Sequence, residues 1–158
     1  MEELPITQAG KNKLEAELDQ LIKVEREALK ISISEARDLG DLKENAEYHA
    51  AKEKQSIVEG RIAQLQGILA RSRVVEVSKI TSKKIVFGAT VSIYDAERNL
   101  RATYKIVGED ESDSKLNRIS YNSPLGKALI GKEEGDTAIV KAPKGDVEYE
   151  IESFEFID

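Results

Sequence analysis

Asp41 and Glu44 stand three residues apart in the segment running from Ser34 to His49, with Asp38 and Glu47 close by. That spacing puts two carboxylates within one turn of chain, and clustered carboxylates suit a hard, oxygen-seeking cation such as Mg²⁺. Two are too few to fill six coordination positions, so a metal here needs ligands from elsewhere. A purely structural account competes with this one. Gly40 can end a helix in a left-handed conformation, Asp41 can cap the next helix, and Glu44 then takes the third position of a capping box. The box nominally begins with Ser or Thr, so the match is imperfect, and from pattern alone both accounts stay open. The chain has one His and no Cys, which rules out disulfides, thiolate sites and histidine-rich zinc sites. That single histidine, His49, reads as a surface or junction residue of a helix and not as a ligand.

The elements around these acids read as a helical pair. Between Lys11 and about Asp38 there is no Pro or Gly, and Leu14, Leu18, Leu21, Ala28 and Ile31 recur at the spacing of one buried helical stripe. Thr7 is placed to cap the start. A second run, from Glu47 to about Val75, carries Ala51, Val58, Ile62, Leu65 and Leu69. Gly60 and Gly67 lie inside it, each costing about 1 kcal/mol of helix propensity. Folding the chain about residues 42–43 sets Leu21 near Leu65, Ala28 near Val58, Leu18 near Leu69 and Glu35 near Ala51. The expectation is an antiparallel coiled-coil arm over residues 1–76 with the acids at its tip. Two helices of an ordinary bundle are the alternative; narrow stripes, charged outer faces and the lack of further long helices argue against it. An arm of this kind suits the delivery of ligands into another molecule's site better than it suits a self-contained enzyme.

Residues 77–158 change period. The stretch 85–94 is β-rich, Leu100–Val107 and Arg118–Tyr121 are further strands, and Gly108–Asp113 reads as an acidic, polar loop. Ser123-Pro124 opens a short helix that ends at Gly131. Strands resume at Thr137–Ala142 and Val147–Phe156, joined through Pro143-Lys144-Gly145-Asp146. The reading is an antiparallel sheet with one small helix, giving an α+β chain overall. Glu148, Glu150 and Glu152 alternate with Val147, Tyr149 and Ile151, as a solvated strand face requires. Gly126, Gly131 and Gly135 form no phosphate loop, and no catalytic constellation appears in this half.

Composition narrows the function further. The 158 residues carry a net charge of −6 with acidity in both halves, whereas a chain that holds nucleic acid by its own field is normally basic. No basic region precedes an apolar run at the N-terminus and no stretch of eighteen apolar residues occurs, so a cytoplasmic protein without membrane contact is expected.

The tip sequence GDLKENAEYHAAKE, residues 40–53, resembles the signature of the bacterial transcript cleavage factors, the GreA/GreB family, and its DLKENAEY block is closer to the GreA side of that family. A second block, ISYNSPLGKALIGKEEGD at residues 119–136, resembles the family's C-terminal signature. The resemblance spans essentially the whole chain in order; Ser112 in EDESD, where Ala is common, is a small-for-small departure. It implies a coiled-coil arm followed by a domain like the FKBP-type prolyl isomerases, used for docking without isomerase activity. It implies binding at the secondary channel of bacterial RNA polymerase, where the arm reaches a backtracked RNA 3′ end and stimulates the polymerase's own hydrolysis of the transcript. Asp41 and Glu44 would then be the acting acids, sharing a weakly held Mg²⁺ whose other ligands are polymerase aspartates, with no cofactor bound stably to this chain. On that footing metal delivery outweighs capping. Arg37, Lys43, Lys52 and Lys54 are candidates for contacting the extruded RNA, although a charge run is usually a solvated face. A monomer is expected, because a dimer through the arm would cover the face that enters the channel. Two rivals remain: a channel-plugging inhibitor of the same architecture, which the Asp41/Glu44 pair without extra tip carboxylates argues against, and a clamp-like chaperone indifferent to loss of Asp41.

Overall fold

The computed structural model describes residues 3–158. It forms two compact units, Lys11–Ser72 and Glu3–Gly10 with Arg73–Asp158.

The first unit is a helical hairpin. Helix α1 (Gln8–Gln20) is followed by a π-helical turn at Leu21–Glu25 and then by α2 (Arg26–Asp38), and the return helix is α3 (Ala46–Arg71). Thr7 caps α1 as expected, its hydroxyl oxygen accepting the Gly10 N–H at 3.0 Å. A π turn takes up one residue more than an α turn and shifts the phase of everything after it. The face that starts with Leu14, Leu18 and Leu21 therefore continues through Leu29, Ile33 and Ala36, all buried or half-buried. Ala28 and Ile31, expected in the seam, are exposed, Ile31 at 60%. The sequence contains the reason. An unbroken α-helix would bring Glu25, Ser32 and Glu35 onto the buried stripe, and burying a carboxylate without a partner is costly.

Helix α3 carries no such insertion, and its stripe lies where the spacing puts it. Ala51, Ile62 and Leu65 are buried, Leu65 completely, with Val58 and Leu69 half-buried. Arg26 forks onto Glu59 at 2.8 and 2.9 Å, the register that a fold-back about residues 42–43 requires. Glu17 receives Arg61 in the same way, the closest approach being 2.7 Å. Such solvent-screened pairs contribute little, so the seam and not the charges holds the hairpin. Gly60 and Gly67 sit within α3 facing open space, with nothing inside 4 Å of where a Cβ would be.

The second unit, which resumes at Arg73, holds β1 (Leu4–Ile6), and β1 pairs with β2 (Ser72–Val74) as a short ribbon. The helix expected to run on to Val75 thus stops at Arg71, where the Ser72 hydroxyl donates to the Ile68 carbonyl at 2.6 Å. The main sheet comprises β3 (Thr90–Asp95), β4 (Leu100–Val107), β5 (Arg118–Ser120), β6 (Thr137–Ala142) and β7 (Gly145–Glu155), in the order β5-β4-β3-β7-β6. It is antiparallel from β4 to β6, and β5 joins β4 in parallel, which makes the sheet mixed. Residues 85–89, expected to extend β3, instead turn at Phe87–Gly88, yet Ile85 and Ala89 are fully buried. Helix α4 (Pro124–Leu129) is capped by Ser123, which accepts the Gly126 N–H at 3.0 Å, and Leu129 enters the core with Val91, Ile93, Ile106, Ala138 and Ile151. Each such side chain contributes about 1.5–3 kcal/mol on burial.

On β7 the expected alternation holds: Glu148, Glu150 and Glu152 are exposed and Ile151 is buried. An irregularity opposite Ser92–Ile93 leaves both Glu152 and Ser153 exposed before Phe154 and Phe156 return to pack on the core. The acidic loop at 108–113 departs from expectation at one point, because Glu111 is buried. Among the described residues no helix is long and apolar enough to cross a membrane.

Candidate functional site

The turn between α2 and α3 is built by residues other than the two acids it carries. Helix α2 ends where Leu39 and Gly40 donate their N–H groups to the carbonyls of Ala36 and Arg37, each at 3.2 Å. Gly40 then takes φ +110°, a conformation that glycine alone adopts without strain. The chain crosses to α3 through Asp41–Glu44, four residues outside either helix.

Asp41 does not cap α3, which corrects the capping account. Its Oδ1 accepts the Lys43 N–H at 3.1 Å, an Asx turn closed within the crossing itself. The cap is Asn45, whose Oδ1 accepts the Tyr48 N–H at 2.9 Å. The same side chain donates through Nδ2 to the Ala36 carbonyl at 2.6 Å, so it joins the last turn of α2 to the first turn of α3. Asn caps about as well as Asp, and its extra donor satisfies a helix-end carbonyl that a carboxylate would repel. Glu44 is exposed and bonds to none of the described residues.

The aromatic side of the turn is equally local. The Arg37 guanidinium lies 5.8 Å from the centre of the Tyr48 ring, which meets the His49 ring edge-on at 5.6 Å. His49 Nε2 stands 3.2 Å from the Lys43 carbonyl and donates to it when the ring carries its proton there. His49 thus shapes the turn. Asn45 and Tyr48 are the residues that the pattern analysis missed. An asparagine directly before the apolar run was a usable capping signal, but Gly40-Asp41 offered an earlier start and drew the cap to itself.

Asp41, Glu44 and Glu47 line one open depression together with Leu39 and Asn45. Among the described residues, no group of three or more His, Cys, Asp and Glu side chains is arranged to hold a metal ion. What the turn presents is an Asp41 carboxylate anchored through one oxygen and a Glu44 carboxylate with no partner among the described residues. Both are hard oxygen donors, and the pair fits a contribution to a dication site whose remaining ligands come from another molecule.

The cationic candidates are less focused. Arg37 and Lys43 flank the acids, whereas Lys52 and Lys54 lie further along α3 and Lys52 bonds Gln55 at 3.2 Å. Two residues apart on a helix means about 200° around its axis, so Lys52 and Lys54 face different ways and do not form one strip.

A model described as the N-terminal part of the transcription elongation factor matches residues 4–74, and the GreA/GreB C-terminal model matches residues 80–156. The chain is 56% identical over 151 residues to the transcription elongation factor GreA of Hyphomonas neptunium, covering 96% of each chain. It is 51% identical over 158 residues to GreA of an Anaeromyxobacter species, covering 100% of this chain and 95% of that one. GreA of Thioalkalivibrio sulfidiphilus is 50% identical over 158 residues, with 99% and 100% covered. A hairpin followed by a mixed sheet, matched by both family models and at this identity along its whole length, belongs to the GreA/GreB family of transcription elongation factors.

Proposed function

We propose that this elongation factor acts in the secondary channel of bacterial RNA polymerase, where Asp41 and Glu44 assist the polymerase's own cleavage of backtracked RNA. The hairpin brings the two acids to the RNA 3′ end, and the sheet unit, roughly residues 77–158, serves as the docking domain. The chain is an activator and holds no complete active centre of its own. One observation carries this reading: the turn is capped and closed by Asn45, so the helix ends do not require either exposed carboxylate.

Asp41 and Glu44 would supply oxygen ligands to a Mg²⁺ held mainly by the polymerase. The chemistry available at such a shared site is activation of water and stabilisation of the leaving oxygen in phosphodiester hydrolysis. The contribution of this chain is placement. Asp41 is oriented by the Lys43 N–H, and Glu44 is held three residues on in a loop whose ends Asn45 fixes. Arg37 and Lys43, beside the acids, are positioned to meet a phosphate of the extruded strand. The working unit is a monomer.

The test is shortening of RNA 3′ ends in purified backtracked complexes at matched polymerase occupancy. Asp41→Asn and Glu44→Gln should each lower stimulated cleavage at least tenfold, about 1.4 kcal/mol or more of transition-state stabilisation. Folding stability should move by only a few tenths of a kcal/mol, since both side chains are exposed. Part of the rate should return at raised Mg²⁺ or with Mn²⁺. Cleavage by Asp41→Asn equal to that of the wild type would overturn the proposal.

A further inference from the structure

One buried carboxylate has no part in the chemistry above. Glu111 closes the short 3-10 turn Glu109–Glu111 and is 6% exposed, as is Thr7. Its Oε2 accepts the Gly108 N–H at 2.9 Å and the Thr7 N–H at 3.1 Å, and its Oε1 accepts the Thr7 hydroxyl. The Thr7 oxygen in turn accepts the Gly10 N–H at 3.0 Å, in the first turn of α1. Among the described residues no Lys, Arg or His forms an ion pair with Glu111. Two glycines make room for it. A Cβ at Gly10 would stand 2.1 Å from the Glu111 carboxyl carbon, and one at Gly108 would stand 3.0 Å from Oε2.

Filling this space with a charge that has no cation beside it is costly, and an aliphatic side chain would fill it more cheaply. What the carboxylate adds is direction, because its two oxygens hold two segments about a hundred residues apart in sequence to one geometry. One of those segments is the start of α1. The helix begins among residues that belong with the sheet unit and runs on at Lys11 into the hairpin unit.

We propose that Glu111 is a positioning residue for cleavage stimulation: through Thr7 it clasps the first turn of the helix that leads to the acidic turn. This rests on Asp41 and Glu44 being the acting acids. Misplacing a reacting group by about 1 Å can cost on the order of a hundredfold in rate, so a loosened clasp acts on chemistry without touching it.

The experiment uses the full chain. Cleavage in backtracked complexes is measured against factor concentration for the wild type, Glu111→Ala and Glu111→Gln. Glu111→Ala should lower the maximal rate about tenfold with a half-saturating concentration within about twofold of wild type, and Gln should retain more of the rate because its carbonyl still accepts. Amide exchange by mass spectrometry follows Thr7–Gly10 in the same variants. Exchange there should rise in Glu111→Ala while helix content by circular dichroism stays that of the wild type. An unchanged maximal rate would overturn the proposal, even if melting or exchange changed. Should Glu111→Ala fail to fold, Thr7→Val and Thr7→Ser decide: loss with Val and recovery with Ser supports the clasp, and equal rates overturn it. Asp41→Asn run alongside separates the two readings. If it cleaves normally the earlier proposal has failed, while exchange at Thr7–Gly10 still reports on Glu111.

Discussion

At the turn between α2 and α3, Asp41 and Glu44 are exposed, and together they accept a single backbone N–H. Where α1 begins, Glu111 is buried and three donors converge on it. The same functional group is thus left with unspent acceptor capacity in one region and is saturated in the other. A carboxylate whose acceptors are filled by its own fold can position but has little left to offer a ligand. One that its neighbours neither pair with nor bury is available to something outside the chain. Judging the two kinds of acid by residue type alone would merge them.

The largest effect that sharpens this contrast concerns the seam. Leu65 is completely buried, and Leu65→Ala should cost about 2–5 kcal/mol. It should raise amide exchange around residues 39–45 while leaving that of Thr7 and Gly108 protected. Melting by circular dichroism and exchange by mass spectrometry check both halves, and equal loss of protection at the two places would break the comparison. Asn45 comes next. Asn45→Ala removes a cap and a cross-helix donor, worth about 1–2 kcal/mol together, and should also slow cleavage because the loop bearing Asp41 and Glu44 loses its closure. Asn45→Asp keeps the cap but sets a carboxylate oxygen against the Ala36 carbonyl, so its melting temperature should fall below that of the wild type. The smallest effect is a gain. Gly67 faces open space within α3, and Gly67→Ala should stabilise the chain by about 0.5–1 kcal/mol in urea unfolding. The same change at Gly10 should destabilise, because its Cβ meets Glu111.

Much of this was legible from residue spacing. The stripe of α3, the limits of β4 and β6, the Thr7 and Ser123 caps and the outward glutamates of β7 all follow from period and capping chemistry that act over a few residues. The misses share a different origin. Ala28 and Ile31 sit at good helical spacing from Leu21, and only the phase change at the π turn removes them from the seam. Asp41 is a sound cap by type, displaced by an asparagine that also satisfies a carbonyl nine residues earlier. Glu111 looks like any loop acid until Thr7, about a hundred residues away, is brought against it. Exposure of Asp41 and Glu44 follows from their place in a turn, but that Glu44 bonds to none of the described residues depends on which side chains the fold brings near it.

The π turn at Leu21–Glu25 also bears on how the hairpin can change its length. Its extra residue is absorbed as a local widening, so that Leu29, Ile33 and Ala36 stay in phase with Leu14, Leu18 and Leu21. Deleting one residue there would relax the widening into a regular α-helix and leave the same side chains against α3, shortening α1–α2 by one step without exchanging its faces. The same deletion in α3, which has no slack to surrender, would rotate everything beyond it by about 100° and turn Ile62 and Leu65 away from the seam. Two antiparallel helices of one hairpin thus differ in whether a single codon can be lost from them.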